Sequence, residues 1–137
     1  MPHLRLPYRV GKSDLLGQIR RPLLTLSVFS LRFREWLDIQ DLLADTGADL
    51  TVLPSHIGEL LVADIRKGKR GMVRGIVPGK GLPVYLHRLS LRVGSRSFGG
   101  TVGIAASPAV PALLGRYQVL DRFTAIYRTG KILVLQW

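Results

Sequence analysis

The chain has no cysteine, which excludes a disulfide scaffold, a thiolate nucleophile and a thiolate metal ligand, and fits a reducing compartment. Histidine is scarce too. His3, His56 and His87 stand far apart, without metal-ligand spacing, so no metal site is expected and no cofactor is implied. Aromatic residues make up only 7% of the chain and suggest no stacking platform for unpaired bases. No Gly-x-Ser-x-Gly run offers a serine nucleophile.

Long apolar stretches are missing as well. Pro22 to Leu31 is apolar over ten residues, too short to span a bilayer. Ser97 to Gly115 carries no charge over nineteen residues, but Gly99, Gly100, Gly103, Pro108 and Pro111 interrupt it, so it reads as a strand near Thr101 to Ala105 followed by a Pro-rich connection. The first twenty-one residues include Arg5, Arg9, Lys12, Asp14, Arg20 and Arg21 and lack the apolar region of a secretory signal. A cytoplasmic protein without a membrane segment is expected. Acids are few: nine against 20 Lys and Arg, a formal net charge of +11. Arg66, Lys67, Lys69, Arg70 and Arg74 crowd into nine positions without an acid. Weak, sequence-independent binding of nucleic acid or another polyanion is therefore expected, alongside the plainer role of a solvated basic surface.

What remains is a sequence of short apolar runs. At 137 residues and 47% hydrophobic, it supports one core. Gly and Pro punctuate the runs, so the expected class is all-β with one or two short helices. Leu23 to Leu31 and Leu37 to Ala44 are strand candidates around a polar turn. Val84 to Val93 alternates, with Tyr85, Leu89, Leu91 and Val93 on one face and Arg88, Ser90 and Arg92 on the other. Thr124 to Tyr127 and Ile132 to Leu135 flank Arg128, Thr129, Gly130 and Lys131 as a hairpin. Ile57, Leu60 and Leu61, and again Val119, Leu120 and Phe123, recur at helical spacing. Residues 1–21 are basic and read as an N-terminal arm that orders on packing or partner contact, leaving 22–137 as the domain.

One residue demands an explanation. Asp45 ends the apolar run Leu42, Leu43, Ala44 and is followed by Thr46, Gly47, Ala48, Asp49 and Leu50. A carboxylate at the end of a buried strand is costly unless it has partners or a task. Thr46 brings a hydroxyl, and Gly47 lets the backbone turn and bring amide N–H groups close. A phosphate loop is excluded nearby, because three residues instead of four separate Gly75 from Gly79 and Gly81 follows Lys80. An aspartyl-phosphate enzyme would need accessory domains for which the chain is too short.

The Asp45 loop, together with Leu113, Leu114, Gly115 and Arg116 more than sixty residues later, resembles the retropepsins, the retroviral-type aspartic proteases, over residues 22–136. The resemblance implies a closed, barrel-like fold with one lobe per chain. It implies a peptide-bond hydrolase in which Asp45 is catalytic and Thr46, Gly47 and Ala48 support the loop, with Thr46 bonding across a dimer axis. Since the chain holds one Asp-Thr-Gly, the second acid would come from another copy, making a homodimer that acts on polypeptide. Asp49 and Arg116 would pair as a structural brace beside the apolar-apolar-Gly segment Leu113, Leu114, Gly115. Gly75, Ile76, Val77, Pro78, Gly79, Lys80 and Gly81 would form the tip of a flap over substrate. Here the pattern departs from the family, because Pro78 stiffens the tip and the glycines are sparser. The intact triplet favours the enzyme, and the altered flap favours a noncatalytic dimeric module of the same fold that binds peptide or nucleic acid.

Overall fold

A computed structural model describes residues 1–75, 79 and 81–137. Six strands close on themselves. They are β4 (Leu23–Ser30), β5 (Glu35–Ala44), β6 (Thr51–Leu53), β8 (Leu82–Val93), β9 (Arg96–Ala105) and β10 (Leu113–Leu114), following β1 (His3–Pro7), β2 (Arg9–Ser13) and β3 (Gly17–Arg21) in the chain. The ring runs β4, β5, β10, β6, β9, β8 and back to β4, with β7 (Lys69–Val73) attached to the outside of β8 as an edge. The all-β, barrel-like class read from the sequence is the class observed.

Alternation places the core. Leu24, Leu26 and Val28 of β4 point inward, and the expected inward set of β8, Tyr85, Leu89, Leu91 and Val93, is buried. In β5 the alternation breaks. Leu24 pairs with Leu42 but Leu26 pairs with Ile39, so one residue of β4 faces two of β5, and Asp41 takes a left-handed backbone (φ 62°). This bulge inverts the parity of the strand. Ile39 is buried before it, Leu42 and Ala44 after it, and the next residue, Asp45, leaves the core at the strand's end.

A second sheet of three strands, β1, β12 (Ile132–Gln136) and β11 (Thr124–Arg128), packs on the same core. Leu133 and Leu135 of the central strand are fully buried, and Leu4 and Leu6 of β1 pack against the same core. Within residues 1–21, read from the sequence as a basic arm that orders on packing, 3–7 pair with the C-terminal strand, and β2 and β3 form a hairpin. The reason is simple alternation, since Leu4 and Leu6 sit inward between exposed His3, Arg5 and Pro7. Arg9 of the hairpin also pairs with Asp41 at the bulge.

Among the described residues helix is limited to α1 (Ser55–Leu61) and two single 3₁₀ turns, Ile65–Lys67 and Leu120–Arg122; the second turn replaces the helix expected around Val119 to Phe123. The uncharged stretch 97–115 resolves into β9, a loop and β10, and no helix of the described residues is long and apolar enough to cross a membrane. Gly58 lets α1 lie directly on β9, because a Cβ there would come within 2.2 Å of the Ile104 side chain. Gly58→Ala is expected to destabilise by about 1–3 kcal/mol through overpacking, measured by urea unfolding.

Candidate active site

The site is built where strand order departs from chain order. The chain leaves β5, turns through residues 45–50 and re-enters as β6, and β10 threads between them, parallel to β5 (Leu113 beside Leu43) and antiparallel to β6 (Leu113 beside Val52). The Asp45 loop and the Leu113–Gly115 segment, more than sixty residues apart in sequence, are thereby brought into contact. The Asp45 N–H donates to the Leu114 carbonyl (3.0 Å), the Arg116 N–H to the Ala48 carbonyl (3.0 Å), and the Tyr117 N–H to the Asp49 carbonyl (2.8 Å).

Within the loop, the Gly47 N–H donates to Asp45 Oδ1 at 2.9 Å and the Ala48 N–H to the Asp45 carbonyl at 3.2 Å. A Cβ on residue 47 would stand 3.2 Å from that carboxylate oxygen, so glycine allows the close approach. Thr46 is exposed, and its hydroxyl makes no hydrogen bond within the chain among the described residues. Arg116 Nη2 donates to Asp49 Oδ1 across the junction. The Asp49 side chain is 86% exposed, so the backbone ladder holds the junction and the ion pair adds little. Asp49→Asn is expected to cost less than about 1 kcal/mol, checked by a double-mutant cycle with Arg116→Gln in urea.

Two contacts escaped the sequence reading. Thr51 is fully buried, and its hydroxyl accepts from the Gly115 N–H at 3.0 Å, tying β6 to the end of β10. Nothing in a run of apolar residues marks that hydroxyl as a clamp. Tyr127, at the end of β11, lies within electrostatic reach of Asp45. Burial first, then the neighbouring Tyr8 phenol, then the Asp45 carboxylate push its phenol above the usual range near 10.0. It stays protonated wherever carboxylates titrate.

The loop lines a cleft of about 990 Å³. Its other walls come from Leu113, from Val52, and from the β7–β8 hairpin through Met72, Val73, Arg74, Gly75 and Leu82. Of the expected flap tip, Gly75, Gly79 and Gly81 are described and Gly75 borders the cleft; Ile76, Val77, Pro78 and Lys80 lie outside the described residues. No cluster of His, Asp or Glu among the described residues has the makings of a metal site. The arrangement thus offers one oriented carboxylate at the wall of an open, largely apolar cleft.

A search of solved structures finds a retropepsin-like aspartic protease from Rickettsia conorii, at TM-score 0.61 and 17% identity, over 98% of this chain and 91% of that one. This chain has a retropepsin-like fold. No family model and no curated protein matches it by sequence. The retropepsin-like likeness lies in the path of the backbone and runs through the first 21 residues as well, further than the span of 22–136 legible from motifs.

Proposed function

We propose that the protein is an aspartic endopeptidase that works as a homodimer, with Asp45 of each copy forming one carboxylate pair on the twofold axis. One observation carries this reading. Asp45 is held by the Gly47 N–H at the cleft wall, and among the described residues the one other acid lining the cleft, Asp49, faces Arg116. A single carboxylate cannot take a proton from water and give one to the carbonyl oxygen in the same step, so the second is drawn from another copy.

In the pair, two carboxylates at hydrogen-bond distance share one proton. The charged member takes a proton from a bound water as its oxygen attacks the scissile carbonyl carbon, and the protonated member donates to the carbonyl oxygen. Collapse of the tetrahedral intermediate breaks the C–N bond; the protonated member gives its proton to the leaving amine while the charged member takes one from a hydroxyl of the gem-diol, which leaves as the carboxylic acid and restores the single shared proton. Exposed Thr46, whose hydroxyl has no partner among the described residues, is available to bond the opposite loop. Incubation with a diverse peptide mixture from acidic to neutral pH, read by mass spectrometry beside Asp45→Asn, tests the proposal. Cleavage with a bell-shaped pH profile that the variant lacks supports it; equal cleavage by both sinks it.

The basic cluster adds a separate expectation. Arg66, Lys67, Lys69, Arg70 and Arg74 are all exposed, so heparin or DNA should bind with steep salt dependence and no sequence preference, and neutralising Arg66, Lys67, Lys69 and Arg70 should weaken it. Tight binding that survives high salt, with preference for one sequence, would instead move the noncatalytic binding module ahead.

A further inference from the structure

The distribution of charge around the cleft is one-sided in a way that the catalytic reading does not use. Between Asp64 and Asp121 the sequence carries ten Lys and Arg and no Asp or Glu. Strands β7 and β8, whose residues Met72, Val73 and Leu82 help to wall the cleft, belong to this segment. Of its basic residues, Arg74 lines the cleft itself. Among the described residues Arg74 has no carboxylate partner: the two ion pairs are Arg9 with Asp41 and Arg116 with Asp49, so the other acid of the cleft, Asp49, faces Arg116 and not Arg74.

A polypeptide filling this cleft would cover Arg74, and an unpaired guanidinium withdrawn from water is costly. Asp45 is not free to neutralise it if it is to activate water. The missing partner must come with the ligand. The remaining walls, Ala48, Leu50, Val52, Met72, Leu82 and Leu113, are apolar and suit an apolar side chain beside the reacting bond. We infer that the cleft selects polypeptide segments in which an apolar residue is accompanied by a nearby Asp or Glu, whose carboxylate Arg74 receives. Arg74 is thus a specificity-determining residue. Arg66, Lys67, Lys69 and Arg70, on the turn and strand leading to it, attract acidic segments from a distance. A peptide suits this site better than nucleic acid, because the cleft wall offers aliphatic side chains where bases would need aromatic ones.

The inference rests on the peptidase reading for its substrate, but its test does not need turnover. Fluorescein-labelled short peptides that share a central apolar pair, flanked by Glu, Gln or Lys, are titrated into the Asp45→Asn protein at low salt. The Glu peptide is expected to bind about tenfold more tightly than the Gln peptide, as one charge-assisted contact would give, and the Lys peptide more weakly than either. Adding Arg74→Gln should erase the difference, and Arg74→Glu should invert it in favour of Lys. Equal affinities, no binding of the Glu peptide, or a preference that survives Arg74→Gln and is lost only on neutralising Arg66, Lys67, Lys69 and Arg70, overturns the assignment. So does a single-stranded oligonucleotide that binds through Arg74 more tightly than the Glu peptide. Failure of the peptidase reading registers elsewhere, as absence of cleavage by the wild-type protein. Wild-type cleavage without enrichment of acids near the cut sinks this inference alone.

Discussion

Asp45→Asn is expected to lower peptide turnover at least about a thousandfold, the scale of a lost general base. The amide keeps the shape of the carboxylate and still accepts from the Gly47 N–H, which donates to Oδ1 at 2.9 Å, so the loop should keep its conformation. Neither copy of the variant can take a proton from water. Urea unfolding should change little, because the side chain is only partly buried and its hydrogen bond is retained. The dimer should be as tight or tighter, since two amides avoid the repulsion that two carboxylates meet above their shared titration. Loss of turnover with unchanged unfolding and sedimentation is the predicted pattern. Loss of turnover through unfolding would assign Asp45 a structural role instead.

Gly115→Ala is expected to have the largest effect on the scaffold. Gly115 is buried, and a Cβ there would stand 2.3 Å from the Leu50 carbonyl carbon, 2.5 Å from its oxygen and 2.8 Å from the Thr51 nitrogen. All three are backbone atoms, which have no rotamer by which to withdraw. The methyl would push β10 away from the loop that carries Asp45 and strain the bond from the Gly115 N–H to the Thr51 hydroxyl. The cost should reach about 3 kcal/mol or more, the upper end of overpacking effects, and peptide turnover should fall with it. Thr51→Val removes the acceptor without adding bulk. It leaves the Gly115 N–H buried and unpaired, so about 1–3 kcal/mol is expected, measured by urea unfolding with fluorescence of Trp36 and Trp137. Near-wild-type stability of Gly115→Ala would mean that the loop and β10 are not packed as described.

Much of the barrel was legible because alternation reports which face of a strand is buried. Arg88 to Val93 could be read residue by residue, and so could the C-terminal hairpin, whereas Val84 and Tyr85 are both buried. The parity change in β5 was not legible, because nothing distinguishes Gln40 and Asp41 as the pair that opposes one residue of β4. The pairing of β1 with β12 was missed for a related reason: Leu4 and Leu6 make a very short pattern, and their basic neighbours suggested a solvated arm. The Asp45 loop and the Leu-Leu-Gly-Arg segment could be matched by motif, but the means of joining them could not. That needs β10 to thread between β5 and β6, a relation between distant strands. Thr51 and Tyr127 are invisible for the same reason, as each reaches the site only through tertiary contacts.

The central claim, one active centre made by two copies of Asp45, is tested most directly by mixing. Wild-type protein and Asp45→Asn are combined in equal amounts, allowed to exchange subunits, and assayed on a cleaved peptide beside the same total of wild type. If both carboxylates are needed, only wild-type pairs work, and activity falls to about a quarter of the pure wild-type value. At constant total protein, raising the share of variant should drive it towards zero with the square of the wild-type fraction. Activity that instead remains at about half, proportional to the wild-type chain present, would mean that each chain acts alone and would contradict the shared site.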